Sequence, residues 1–136
     1  MKFNSNSLLS IASWVTLILG CIDLLRGAVH TFLIHEIALD ASGIEPHPDA
    51  LVLMSAFGIS NFLTGFLLIL VSIKARHLAP FVLLLIPGAY LLGSIGMQLS
   101  DVQMQSQFNG QYLMRVYLMV SFVIASTYFA CRRFEK

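Results

Sequence analysis

Four long apolar stretches fill the chain almost end to end, at residues 8–34, 50–73, 78–99 and 112–131. A hydrocarbon core about 30 Å thick needs roughly 20 apolar residues in helical conformation, and each stretch supplies them. Inside lipid every backbone N–H and C=O must be satisfied within the protein, which restricts spanning segments to helices or a closed barrel. Runs of this length with short connectors predict an all-α membrane protein, an antiparallel four-helix transmembrane bundle forming a single integral domain over residues 1–136.

The rest of the composition agrees with a lipid setting. Of 136 residues, 57% are hydrophobic and only 11% are charged, whereas soluble domains carry about 25% charged residues. The net charge of +1, with no basic block and no stacking platform, gives no expectation of nucleic acid. The partner this composition does predict is the lipid bilayer. Cys21 lies inside the first stretch and Cys131 ends the last. That places them at different depths, so no disulfide is expected, and neither has the spacing of a metal ligand. The apolar run after Lys2 continues through Asp23 and Arg26 before any small-residue cleavage pattern. It is therefore expected to remain as a span rather than act as a removable leader.

Charge in the connectors orients the bundle. If the chain crosses four times, Lys2, Lys74, Arg76, Arg132, Arg133 and Lys136 share one side. The opposite connectors hold no Lys or Arg but carry Glu36, Asp40, Glu45, Asp49 and Asp101. The positive-inside rule then puts both termini in the cytoplasm. The acidic connector, with Pro46 and Pro48, holds Ile37, Leu39 and Ile44, which suit either a brief interfacial helix or a solvated turn.

Function is sought where charge interrupts the lipid-compatible runs. A charge near mid-bilayer costs about 2.5–3.5 kcal/mol on insertion scales, so such residues face a bundle interior or a wet cavity. At 100° per residue, Asp23, Arg26, Gly27 and His30 share a face of the first helix. In the second helix Phe57, Gly58, Asn61, Thr64, Gly65 and Ser72 form one stripe. In the third, Tyr90, Ser94, Met97 and Asp101 align with Gln98 alongside, and Arg115 opens the fourth. Helical rise puts Asp23, Arg26, His30, Gln98, Asp101 and Arg115 towards the outer end, with Asn61 and Tyr90 nearer the middle. These groups can converge on an outer-half polar cavity. Asp23 and His30 are its catalytic candidates; Arg26, Asn61, Tyr90, Gln98, Asp101 and Arg115 are its ligand-binding candidates.

A purely structural account fits the same residues. Asp23 and Arg26 are spaced i,i+3 and can neutralise each other within one helix, with Asp101–Arg115 as a second clasp. Asn61 and Tyr90 suit interhelical hydrogen bonding. His35–Glu36 suits an interfacial pair, since no HExxH partner follows, and His47 between its prolines suits a solvated position. Ala89, Gly93 and Gly96 form a small-residue strip that predicts close helix packing. Pro87 is expected to kink the third helix, whereas Pro80 falls in its tolerant first turn. Tyr117, Ser121 and Tyr128 form a second polar face on the fourth helix, turned away from Arg115, which can bind another subunit or face lipid.

The chain resembles the DoxX-like group of small four-span bacterial membrane proteins. The likeness is carried by Arg26–Gly27 followed by His30 and Phe32, by Phe57–Gly58 with Asn61 and Gly65, by the basic turn Lys74–Arg76, and by Pro87, Tyr90 and Gly93. It extends over the whole chain, mainly as topology and hydropathy. The resemblance implies a plasma membrane location, the bacterial inner membrane, and roles in quinone-linked oxidation, redox homeostasis or assistance to other proteins.

Three functions follow as expectations. The first is a non-enzymatic protein that binds a lipophilic small molecule in its outer-half cavity, or assists a membrane-protein partner or a second copy of itself. The second is a membrane-embedded oxidoreductase or other enzyme acting on a quinone-like or lipid substrate, with Asp23 and His30 exchanging protons beside Arg26. The third is a small proton-coupled exporter, which Arg26 disfavours by opposing a cation one turn from Asp23. A quinone is the only cofactor these expectations touch, and no metal is expected.

Overall fold

In the computed structural model, which describes residues 4–38, 47–101 and 110–135, the chain is an all-α four-helix bundle. Helix α1 spans Ser5–Phe32, α2 Pro48–Lys74, α3 Ala79–Leu99 and α4 Gly110–Phe134. All four are long and apolar enough to cross a membrane, and the chain is a small multi-pass membrane protein. The spans expected at 8–34, 50–73, 78–99 and 112–131 match these helices to within a few residues at each end.

The helix ends follow local chemistry. Asn4 precedes α1 in extended conformation, and its side-chain oxygen accepts from the Asn6 N–H at 3.3 Å, satisfying one orphan donor of the first turn. After Phe32 the chain tightens into a π-helical turn, Ile34–Ala38. Leu39 and Ile44, proposed partners in a brief interfacial helix, lie outside the described residues. His47 is exposed, as expected, and also caps α2 by accepting from the Asp49 N–H at 3.3 Å. Pro48 then opens α2, where its missing N–H costs nothing. The Arg76–Leu78 turn is 3-10 helical and hands directly to α3, which runs through Pro87 to Leu99.

The start of α1 and the end of α4 sit together. The Ser5 N–H donates to Glu135 Oε1 at 2.9 Å, tying the start of α1 to the end of α4. That donor holds the exposed Glu135 carboxyl below its ordinary pKa, and a carboxylate at a helix N-terminus is favoured by the helix dipole. The contact fixes an even number of crossings in the described bundle. Arg132 and Arg133 therefore lie near the Ser5–Glu135 end, as does the α2–α3 turn with Lys74 and Arg76.

The closest helix pair is α1 with α2, and its cause is a repeat in both sequences. Ser13, Gly20 and Gly27 recur every seven residues along α1; Gly58, Gly65 and Ser72 do so along α2. Running antiparallel, they meet rung by rung. A Cβ placed on Gly20 would lie 3.0 Å from the Gly65 carbonyl oxygen, and one on Gly65 would lie 2.9 Å from that of Gly20. Gly27 and Gly58 face each other in the same way, at 3.0 and 3.2 Å. In the third rung Ser13 Oγ donates to the Ser72 carbonyl at 2.9 Å and Ser72 Oγ to that of Ser13 at 2.8 Å. Small residues let the backbones approach, and a strict seven-residue period keeps the seam aligned between two supercoiling helices.

A second packing centre joins all four helices. Ala12, Leu19, Leu68, Ala79, Leu83, Tyr117 and Ala125 form its buried cluster. The hydroxyls of Thr16 and Ser121 are fully buried there and bond back to the Ala12 and Tyr117 carbonyls, both at 2.8 Å, so neither is stranded. Phe81 and Phe129 meet edge to face at 5.0 Å across α3 and α4. Outward faces carry Trp14, Leu25, Phe66, Leu92 and Met119, all exposed. An apolar surface of that extent suits lipid contact rather than water.

The strip Ala89, Gly93 and Gly96 does not pack as expected. A Cβ on Gly93 or Gly96 would meet nothing within 4 Å, and every residue from Gly88 to Asp101 is exposed. Close approach in this bundle belongs to the α1–α2 seam, where small residues on one helix face small residues on another. On α3 no described helix presents the matching face.

Candidate functional site

The site begins with a carboxylate that the fold has enclosed. Asp23 is 5% exposed, on the α1 face directed into the bundle between Gly20 and Gly27. Its Oδ2 accepts from Tyr117 Oη of α4 at 3.1 Å and from Thr64 Oγ1 of α2 at 3.2 Å. Its Oδ1 faces the Arg26 guanidinium at 3.6 Å, the i,i+3 pair expected from spacing. Three helices thus close on one side chain. A buried carboxylate without such donors would be severely penalised.

The Thr64 hydroxyl has more acceptors than protons. Besides Asp23 it lies 3.1 Å from the carbonyl oxygens of both Ser60 and Asn61. With one O–H it serves Asp23 or its own helix, whereas the Tyr117 hydroxyl donates to Asp23. Tyr117 is therefore the firmer support of the carboxylate.

Arg26 leads from this buried group to the outside. Its side chain is 20% exposed, and the guanidinium lies 5.8 Å from the centre of the Phe57 ring, within cation–π range. It also faces the Tyr90 hydroxyl from α3.

Beside these residues lies a cleft of about 360 Å³ between α2 and α3. Asp23, Arg26 and Tyr117 form its back. Phe57, Ser60, Asn61, Thr64, Leu67 and Leu68 form the α2 wall, and Val82, Leu85, Ile86, Ala89 and Tyr90 the α3 wall. Helices α2 and α3 are joined by a very short turn yet touch little along their length. The cleft is the space they leave, and Phe57, Leu67, Leu85 and Tyr90 around it are exposed.

The structure gathers the sequence-derived candidates selectively. Asp23, Arg26, Asn61 and Tyr90 line the cleft. His30 stands beside it: its Nδ1 is 3.4 Å from Asn61 Nδ2, and its ring is 5.9 Å from that of Phe57. With the amide nitrogen donating, His30 carries its proton on Nε2. Gln98 and Asp101 are exposed at the far end of α3 and form no part of the lining, and Asp101 takes a left-handed backbone (φ 52°) there. Arg115 is exposed as well, with its guanidinium 5.8 Å from the Tyr112 ring of its own helix.

Two expectations change as a result. The fourth helix enters the site through Tyr117, not Arg115, because two positions along a helix are 200° apart and only one of them can face Asp23. The stripe Tyr117, Ser121 and Tyr128, read as a second polar face for a subunit or lipid, is the buried face of α4. A buried carboxylate needs donors, and a phenol in the inward stripe is the group α4 supplies.

Among the described residues no group of three His, Cys, Asp or Glu side chains could hold a metal ion. Cys21 and Cys131 are both free thiols. The chain matches no protein-family model, no curated protein and no solved structure.

Proposed function

We propose that this membrane protein binds a lipophilic small molecule in the α2–α3 cleft, which the ligand enters sideways from the bilayer. The observation that carries the reading is the cleft itself. It has apolar walls, a rim formed by Arg26 and Tyr90, and a fixed polar network behind it. Ligand sites in helical bundles commonly combine an apolar cavity with a few convergent polar groups. Lateral entry suits a ligand dissolved in lipid, since the two helices flanking the opening belong to the spanning bundle.

In this reading the Lys and Arg residues at the Ser5–Glu135 end face the cytoplasm. That puts Asp23, Arg26 and Tyr117 at the back of the cleft in the outer half of a bacterial inner membrane, while its walls at Leu67, Val82 and Leu85 reach into the cytoplasmic half. The resemblance to the DoxX-like group supports the same setting, through Arg26–Gly27, His30, Phe57–Gly58 and Asn61. Asp23 acts as the anchor of the network rather than as a free base, since both its oxygens face donors. The exporter alternative is weaker for the same reason: a cation would have to displace Arg26 from its carboxylate.

Extraction into polymer-bounded lipid discs without detergent, followed by mass spectrometry of the extractable molecules, tests the proposal. The expected result is one lipophilic species enriched over the surrounding lipid, and lost when Leu85→Trp fills the cleft. Equal retention by wild type and Leu85→Trp would remove the cleft from ligand binding.

A further inference from the structure

We infer that the cleft selects an uncharged amphiphile whose head accepts hydrogen bonds, such as an alkyl ketone, ester or amide, and rejects permanently cationic and anionic heads alike. The inference rests on the ligand-binding reading above and adds the chemical class of the ligand.

It follows from counting donors and acceptors where the cleft meets its polar back. Asp23 is already engaged: Oδ2 accepts from Tyr117 with the Thr64 hydroxyl also in reach, and Oδ1 faces the Arg26 guanidinium at 3.6 Å. A cationic or donor-rich head therefore finds a carboxylate already engaged, behind a guanidinium that repels positive charge. Donors are in surplus. A guanidinium carries five N–H groups, and the Asp23 contact of Arg26, at 3.6 Å, occupies only part of that set. The Tyr90 hydroxyl stands next to it on the α3 wall.

An anionic head fares no better. Asp23 and Arg26 together carry no net charge, so a full negative charge brought into the cleft would lose its hydration without an unpaired cation to meet it. Pulling Arg26 towards such a head would strip the buried Asp23 of its counter-charge. A neutral acceptor takes the spare N–H and O–H groups and leaves the ion pair intact. Its chain lies along Leu67, Leu85 and Ile86. The volume of about 360 Å³ accommodates the head and the first part of the chain, near the lower end of the range of about 300–1,000 Å³ common for ligand sites.

The test uses three probes with one alkyl chain and a photoactivatable diazirine next to the head: a methyl ketone, a sulfonate and a trimethylammonium. Each is added at the same low mole fraction to the full chain in lipid nanodiscs, and labelled residues are mapped by mass spectrometry. One net hydrogen bond of difference should let the ketone label the α2 and α3 cleft walls about fivefold more than either charged probe. Tyr90→Phe keeps the ring and removes the hydroxyl. It should reduce ketone labelling by a similar factor at an unchanged melting temperature. Stronger labelling by the sulfonate would make the cleft an anion site built on Arg26, and stronger labelling by the trimethylammonium a cation site built on Asp23; either overturns the selectivity. Equal labelling by all three also overturns the selectivity but leaves ligand binding standing. No cleft labelling by any probe, in protein with a normal melt, overturns ligand binding itself.

Discussion

The two edges of α2 meet their neighbours in opposite ways. Towards α1 it presents Gly58, Gly65 and Ser72, and the helices close until each glycine faces the other's carbonyl. Towards α3, positions beside those rungs carry Phe57, Ser60, Thr64 and Leu67, and a cleft remains. One helix thus builds both a sealed seam and an open one, and the difference is side-chain size at adjacent positions of the same turn. The sealed seam also holds Asp23 in place between Gly20 and Gly27, so the polar network at the back of the cleft inherits its geometry from the closed edge. Rigid packing on one side of α2 is what allows a vacancy on the other to keep its shape.

The largest expected effect comes from the group shared by the two edges. Asp23→Asn keeps an acceptor for Tyr117 but leaves Arg26 without a counter-charge. Breaking a buried pair typically costs about 3–5 kcal/mol, and the partial exposure of Arg26 places this case towards the lower figure. Arg26→Gln should cost a comparable amount, and the double variant should recover part of it, as read by melting temperature in detergent. Strictly additive losses would mean the pair is not coupled and that the carboxylate is held by Tyr117 and Thr64 alone.

Glycine substitutions break the comparison more directly, because one change has opposite signs at two sites. Gly65→Ala pushes a methyl group to within 2.9 Å of both the Gly20 carbonyl oxygen and Leu24 Cγ. Backbone cannot move aside cheaply, and overpacking of this kind costs about 1–3 kcal/mol. Gly93→Ala meets open space and gains helix propensity of up to about 1 kcal/mol. Melts of the two variants should therefore move in opposite directions. A loss of stability at Gly93 would show that α3 has a packed partner on that face.

The legible and the illegible parts of this protein divide along physical lines. Span number and approximate boundaries follow from hydropathy, because lipid enforces it residue by residue. The Asp23–Arg26 pair follows from i,i+3 spacing within one helix. Which face of α4 turns inward does not: Tyr117 and Arg115 are both polar interruptions of an apolar run, and helix rotation is decided by packing between segments far apart in sequence. The clue to Tyr117 lies in its alignment with Ser121, Ala125 and Tyr128, a stripe too short of bulk and too rich in hydroxyls to suit lipid. The α1–α2 seam is written openly, as two seven-residue repeats of small residues, but is visible only when the two helices are compared. On α3 the strip Ala89, Gly93 and Gly96 has the same local look and a different fate, since a small-residue face closes only against a partner of matching shape.

The smallest expected effect separates serines on the two edges. Ser13 and Ser72 each donate to the other's backbone carbonyl across the closed seam. Removing either hydroxyl strands nothing, because each carbonyl belongs to a helix and the second bond survives the loss of the first. Interhelical hydrogen bonds in membrane bundles average about 0.6 kcal/mol, so Ser13→Ala and Ser72→Ala should each cost about that much, and the double variant about the sum. Ser60, at the cleft, only bonds back to the Ala56 carbonyl of its own helix at 3.3 Å. Ser60→Ala should leave stability unchanged or slightly raised, since alanine is the better helix former. Equilibrium unfolding by denaturing detergent resolves differences of this size. If Ser60→Ala costs as much as the seam serines, the cleft edge bears load like the closed one, and the contrast between the two edges of α2 fails. If Ser13→Ala and Ser72→Ala together cost far more than their sum, the rung acts as one cooperative unit, and the seam is held by hydrogen bonding as well as by the close fit of its glycines.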